Sequence, residues 1–257
     1  KDLYENNPLA KEMFEKANEI LGFRITDLMF AGTDEDLRQT KVTQPAIFLH
    51  SVILAKTLGD QFKPDMTAGH SLGEFSALVA AGALSFEDGL VLVSKRAMAM
   101  QKACEATPST MAAVLALPDE KVEEICASIE GEVVVCANYN CPGQIVISGE
   151  AENITKIMED LKNVGAKRVL KLNVSGPFHS PMLAQAGEKL KKDLEKVNIT
   201  SPHIPYYANY TAELIDKNTS TEYIKSILSK QVSGSVRFEQ SVRKLIESGF
   251  DRFIEIG

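Results

Sequence analysis

The 257-residue sequence contains no tryptophan, only four histidines and four cysteines, and aromatic side chains make up 7% of it. Cys104, Cys126, Cys136 and Cys141 show no paired C-x-x-C spacing and have no histidine cluster beside them, which speaks against a zinc site and reads as reduced thiols. No apolar run approaches the ~18 residues that a membrane-spanning helix needs, and the first residues lack the basic-then-apolar pattern of a signal peptide. Positive charge is in deficit: 28 Lys and Arg against 35 Asp and Glu leave a net charge of −7. Nucleic acid, which demands a concentrated basic surface, is therefore not an expected partner, and neither is a membrane. An acidic carrier or cofactor would need a local basic patch. The expectation is a cytoplasmic monomer without metal or bound cofactor. At 44% hydrophobic and 25% charged, the chain is long enough for a large core, or for a core plus an inserted subdomain.

What is present is organised around Ala68-Gly69-His70-Ser71-Leu72-Gly73-Glu74-Phe75, which holds a G-x-S-x-G pattern. A short extended run, Pro64 to Thr67, leads into it, and helical spacing follows through Ala81. Strand, tight turn and helix in that order hold a serine hydroxyl out at the end of a sheet. Both glycines are expected to be there because a sharp turn pressed against a helix has no room for Cβ atoms.

Ahead of this turn, Pro8 to Gly22 has helical periodicity with Gly22 as C-cap. A second helix opens near Val42-Thr43-Gln44-Pro45 and runs to about Gly59. Proline suits a first helical turn, which would put Gln44 at a helix N-terminus, either facing a site or as a solvated cap. After the turn, Ser85 caps a long helix to about Ala106, with Glu87 and Asp88 where the helix dipole favours acids. Arg96 lies among its apolar residues. Such an arginine ordinarily snorkels to water; turned toward the serine, its planar fork suits a carboxylate.

From Met111 the pattern changes to strand (Met111–Leu117), helix (Asp119–Ile129), strand (Glu132–Ala137), turn, strand (Gln144–Ser148), helix (Ala151–Val164) and strand (Lys167–Val174). This is the β-α-β-β-α-β order of a ferredoxin-like unit. The chain returns through Ser175-Gly176-Pro177-Phe178-His179 into helices near Met182–Val197, Thr221–Lys230 and Val236–Ser248, and a last strand, Arg252–Ile256. The predicted architecture is an α/β protein. A larger α/β-hydrolase-like domain with a mostly parallel sheet (1–107 and 177–257) carries an inserted ferredoxin-like β-α-β-β-α-β subdomain (108–176).

A serine hydroxyl needs a neighbouring base. His70 is adjacent in the turn and diverges from Ser71, His50 lies mid-helix, and His203 follows Ser201-Pro202 in a loop. His179 precedes a helix, where the dipole disfavours the imidazolium, and is the best of the four. A triad acid between serine and histidine has no recognisable setting, so a dyad oriented by a backbone carbonyl stands equally open.

Gly69-His70-Ser71-Leu72-Gly73-Glu74, Thr43-Gln44-Pro45-Ala46, Lys95-Arg96-Ala97-Met98 and Gly176-Pro177-Phe178-His179-Ser180, with Asn138 to Gln144 in the middle unit, together resemble the malonyl-CoA:acyl carrier protein transacylases of bacterial fatty acid synthesis, over essentially all of the chain. The resemblance implies an acyltransferase whose partners are malonyl-CoA and acyl carrier protein, the CoA thioester being a substrate and not a cofactor. It implies Ser71 as nucleophile, His179 as general base, and the Leu72 N–H as one oxyanion donor. Arg96 would hold malonate's free carboxylate, the Gln231 backbone carbonyl would orient the histidine, and Gln44, Met100 and Phe178 would line the substrate pocket. Alternatives are a free-standing polyketide-synthase acyltransferase, a serine esterase or thioesterase, and an inactive carrier-binding protein. The family begins with a strand and a Gly-Gln-Gly-Ser-Gln loop that supplies a second oxyanion donor, and continues past a Glu-Ile-Gly-Pro-Gly motif. This sequence starts at Lys1 and stops at Gly257, so a segment of a longer polypeptide is expected.

Overall fold

The structure, a computed structural model, describes residues 1–129, 133–174 and 176–257. The chain opens with α1 (Asp2–Asn6), α2 (Pro8–Leu21), α3 (Ile25–Ala31) and α4 (Asp34–Arg38). Asn7 caps α2 by accepting from the Ala10 N–H, and Gly22 ends it at φ 73°, the left-handed conformation that glycine adopts without Cβ strain. α5 (Thr40–Thr57) starts earlier than the proline suggests, so Pro45 lies inside the helix and Gln44 is in its second turn, not at its N-terminus. The turn at Ser71 leads into α6 (Gly73–Ala80), and α7 (Phe86–Cys104) follows, capped by the Ser85 hydroxyl accepting from the Asp88 N–H.

Next come β1 (Ser109–Leu115), α8 (Asp119–Ala127), β2 (Val134–Cys141), β3 (Gln144–Glu150), α9 (Ala151–Asn163) and β4 (Arg168–Lys171). Their sheet order is β4-β1-β3-β2, with every neighbouring pair antiparallel. The strand expected from Glu132 begins at Val134; Glu132 lies outside the described residues, as does Ser175. The remainder comprises α10 (Ala184–Leu194), β5 (Tyr206–Tyr207), β6 (Leu214–Ile215), α11 (Thr221–Gln231), β7 (Val236–Arg237) and α12 (Phe238–Glu247). β7 adds to the edge of β2 in parallel, making a five-stranded, mostly antiparallel sheet.

The mostly parallel sheet expected of a hydrolase-like larger part is not what the described residues form. There, β5 and β6 pair antiparallel, Thr67 makes a single parallel bridge to Tyr206, and Arg252–Ile256 is irregular. Residues 64–67 and 252–256 instead line one cavity of about 980 Å³. A strand exists only through a ladder to a backbone about 5 Å away, and these segments border open volume.

Apolar residues gather in separate cores. One joins α2, α5, α6, α7, α10 and α11, with Phe48, Phe75, Leu90 and Tyr206 fully enclosed. Another packs α8 and α9 onto one face of the β1–β4 sheet through Val114, Ile147, Ile154 and Ile157. A small cluster, Met111, Ala113, Ala137 and Val146, occupies the opposite face, where Phe178 packs against it and against the first core at once.

Candidate active site

The turn is built by two distant segments. Thr67 donates its N–H to the Pro205 carbonyl (3.0 Å) and bridges Tyr206, so the run into the turn lies beside the run from Pro205 to Asn209. At Gly69 an added Cβ would stand 2.0 Å from the Gly73 carbonyl oxygen, so glycine is required by backbone contact. Gly73 differs from expectation: a Cβ there meets nothing within 4 Å, because the turn closes on Gly69 alone. Ser71 sits at φ 54°, in the left-handed region that a residue with a side chain seldom adopts. His70, next to it, points away and bonds Asn140 Oδ1 through Nε2 (2.8 Å), with Phe238 edge-on to its ring.

Of the four histidines, the structure brings His179 to the serine. Ser71 Oγ lies 2.7 Å from His179 Nε2, and His179 Nδ1 lies 2.8 Å from the Gln231 carbonyl oxygen. A carbonyl only accepts, so Nδ1 carries the proton and Nε2 presents its lone pair to the hydroxyl. The partner of Nδ1 is thus a backbone carbonyl and not a carboxylate, the geometry of the dyad alternative. His179 is 3% exposed, and burial first, then the Arg96 charge, lowers its pKa to about 3. The leading causes are thus burial and a neighbouring charge, where the sequence suggested a helix dipole; between His179 and α10 lies a 3₁₀ turn, Pro181–Leu183.

That shift has a stability consequence. The unfolded chain takes up a proton at His179 near pH 6.5, which the folded chain refuses until about 3. The contribution of His179 to stability is therefore full above pH 6.5 and is lost as pH drops through this window. Urea midpoints of wild type and His179→Gln, measured from pH 7 downward, should show the wild type losing stability relative to the variant. A difference between the two that stays constant with pH would refute the neutral, buried assignment.

Arg96 does not snorkel. It is 1% exposed, stacked 5.8 Å from the Phe75 ring centroid, and its pKa, lowered mainly by burial, remains near 10, so it is charged at neutral pH. Nη2 donates to Ser71 Oγ (3.0 Å) and to Gln231 Oε1 (2.9 Å), and Nη1 donates to Gln44 Oε1. These bonds occupy three of the five donors of a guanidinium, and Nε has no partner among the described residues. Gln44, buried, turns its Nε2 to Met100 Sδ at 3.5 Å. Phe178 immediately precedes His179 and joins two of the cores. At the turn, the Ser71 N–H is taken by Asn209, those of Gly73 and Glu74 by the carbonyls of His70 and Ser71, and that of Leu72 has no acceptor among the described residues.

Sequence reasoning missed Glu74 and Asn209. Glu74 is 1% exposed and accepts from Gln231 Nε2 (2.8 Å) and the Asn209 N–H (3.3 Å); burial raises its pKa to about 7 against these donors and Arg96. Its signal was available: in α6, Glu74 is one residue ahead of Phe75 and four ahead of Leu78, both fully buried. Asn209, two residues beyond β5, has no motif to mark it. Among the described residues no group of His, Cys, Asp and Glu is placed to hold a metal, and no helix is long and apolar enough to cross a membrane.

Comparison with known proteins places this geometry in context. Residues 1–257 match the model of the acyl transferase domain. The malonyl CoA-acyl carrier protein transacylase of Bacillus subtilis strain 168 is 44% identical over 260 residues, covering all of this chain and 81% of that protein. The crystal structure of an acyl carrier protein S-malonyltransferase from Vibrio cholerae superposes with a TM-score of 0.94 at 36% identity, over 100% of this chain and 84% of that one. PlMCAT:AntF, a type II PKS acyl-carrier protein in complex with its malonyl-transacylase, gives a TM-score of 0.94 at 34% identity, over 100% and 83%.

Proposed function

The chain belongs to the acyl transferase domain family, and from that premise we propose that it moves a malonyl group from malonyl-CoA to the phosphopantetheine thiol of acyl carrier protein, for fatty acid synthesis, through an ester on Ser71. The observation that carries this reading is the buried Arg96, still offering unused N–H donors, within hydrogen-bond distance of the same hydroxyl that His179 binds.

In the first half-reaction His179 Nε2 takes the Ser71 proton as Oγ attacks the thioester carbonyl. The Leu72 N–H faces the developing oxyanion. As the C–S bond breaks, the imidazolium returns the proton to the CoA sulfur, leaving free CoA thiol and malonyl-Ser71. In the second half, Nε2 takes the proton of the carrier thiol, which attacks the ester, and Ser71 regains its proton as it leaves. Arg96 grips the free carboxylate throughout, which holds the acyl group with its carbonyl at the nucleophile. Gln44 fixes the guanidinium from the side, and Met100 and Phe178 bound the pocket.

The two cores support a division into a larger catalytic unit, 1–107 and 177–257, carrying a ferredoxin-like unit at 108–176. A cytoplasmic monomer fits the reading. The polyketide alternative is favoured by one observation, the equally close superposition on a polyketide-synthase malonyl-transacylase.

Mass spectrometry after brief exposure to malonyl-CoA, and separately to acetyl-CoA, tests the proposal. A malonyl adduct on Ser71 that passes to added carrier protein is expected. Rapid hydrolysis without transfer would indicate an esterase, and no adduct an inactive carrier-binding protein.

A further inference from the structure

Ser71 occupies a left-handed conformation, φ 54°, that is strained in a residue with a Cβ and persists only where surroundings enforce it. Two side-chain amides from distant segments supply the constraint. The Ser71 N–H donates to Asn209 Oδ1 (2.6 Å), and the Ser71 carbonyl accepts from Gln231 Nε2 (2.7 Å). Asn209 reaches further: its Nδ2 donates to the Gly69 carbonyl at 2.7 Å, so one carboxamide spans the turn from one side of His70 to the other.

The orientation of this amide is unambiguous, since an N–H only donates and a carbonyl only accepts. Asn209 is itself immobile. It is 1% exposed, its N–H donates to Glu74 Oε2 (3.3 Å), and its carbonyl accepts from the Arg237 N–H (2.8 Å). Holding the Ser71 N–H on a side chain also settles which amide of the turn stays free for a substrate oxygen, namely that of Leu72.

We propose that Asn209 is a positioning residue for the nucleophile: its side-chain amide clasps the peptide groups of Gly69 and Ser71 and thereby aims Oγ at His179 and at the incoming carbonyl. The proposal rests on Ser71 being the acylated residue. It assigns Asn209 no contact with substrate, so the effect belongs to the acylation step and not to binding.

Rapid-quench measurement of malonyl-Ser71 formation across malonyl-CoA concentrations separates the two. Asn209→Ala should lower the limiting acylation rate by about 10²-fold, the scale of a misaligned reacting group, with the half-saturating concentration little changed. Asn209→Asp, nearly identical in shape, provides the second arm if the alanine variant does not fold. Its introduced carboxyl, when protonated, accepts from the Ser71 N–H and donates to the Gly69 carbonyl as the amide does. Once ionised, it sets an anion against that carbonyl. Glu74, whose pKa burial raises to about 7, is the acid bonded to this residue's backbone and is common to variant and wild type, as are Arg96 and His179 on the Ser71 side of the turn. The variant-to-wild-type rate ratio should therefore rise as pH falls, which a packing role would not produce.

Alanine-variant acylation at the wild-type rate, or an aspartate-variant ratio flat with pH, overturns the proposal. Absence of any adduct in the wild type would instead remove the assignment of Ser71.

Discussion

His179→Ala is expected to slow malonyl-Ser71 formation by about 10²–10⁴-fold, the usual contribution of a positioned general base. No other described histidine is hydrogen-bonded to the serine: His70 is held on Asn140, away from Oγ. Glu74 is no substitute, because both of its recorded partners, Gln231 and the Asn209 N–H, lie beneath the turn. Arg96 would still donate to Ser71 Oγ, so the hydroxyl keeps its place and loses only its proton acceptor. Quenched-flow detection of the adduct, with the wild type's circular dichroism retained, checks this. An acylation rate in the variant within a few-fold of wild type would show that some other group deprotonates the serine.

Arg96→Ala should act on selectivity. Acetyl and malonyl groups differ by a carboxylate, and truncating one partner of a buried, hydrogen-bonded charge pair costs roughly 2–5 kcal/mol. The ratio of kcat/KM for malonyl-CoA over acetyl-CoA should accordingly fall by at least about 30-fold. The substitution also strips Glu74 of the cation one amide away, through Gln231, and stability will suffer. A ratio measured on one sample by competition is indifferent to the fraction folded, which makes it the proper readout. Arg96→Lys, keeping the charge without the fork, should fall between the two. Unchanged discrimination in the alanine variant would refute the carboxylate assignment.

Local pattern carried much of the fold. Helical spacing with Gly22 ending one helix and Ser85 opening the other located α2 and α7, because caps and periodicity are properties of a few neighbouring residues. Alternation and the Asn140–Gly143 turn located the β-α-β-β-α-β run, and the short turn makes β2 and β3 antiparallel neighbours. The parallel sheet expected of the larger part is not formed by the described residues. Pro64–Thr67 and Arg252–Ile256 have strand-like composition, but a strand is completed by a neighbour far away in sequence, and here both border a cavity.

The site divides along the same line. The sequence alone determined that Ser71 is presented on a sharp turn ahead of a helix, and that His179 was the best base among four, since these are matters of residue type and nearest neighbours. Only the tertiary structure decided that Arg96 is buried against the serine and not bathed in water, that Gly69 and not Gly73 is the glycine the turn cannot lose, and that Glu74, Asn209 and Gln231 brace it from beneath. Those contacts join positions up to 160 residues apart. Each depends on where the backbone of another segment comes to rest, and no local spacing encodes that distance.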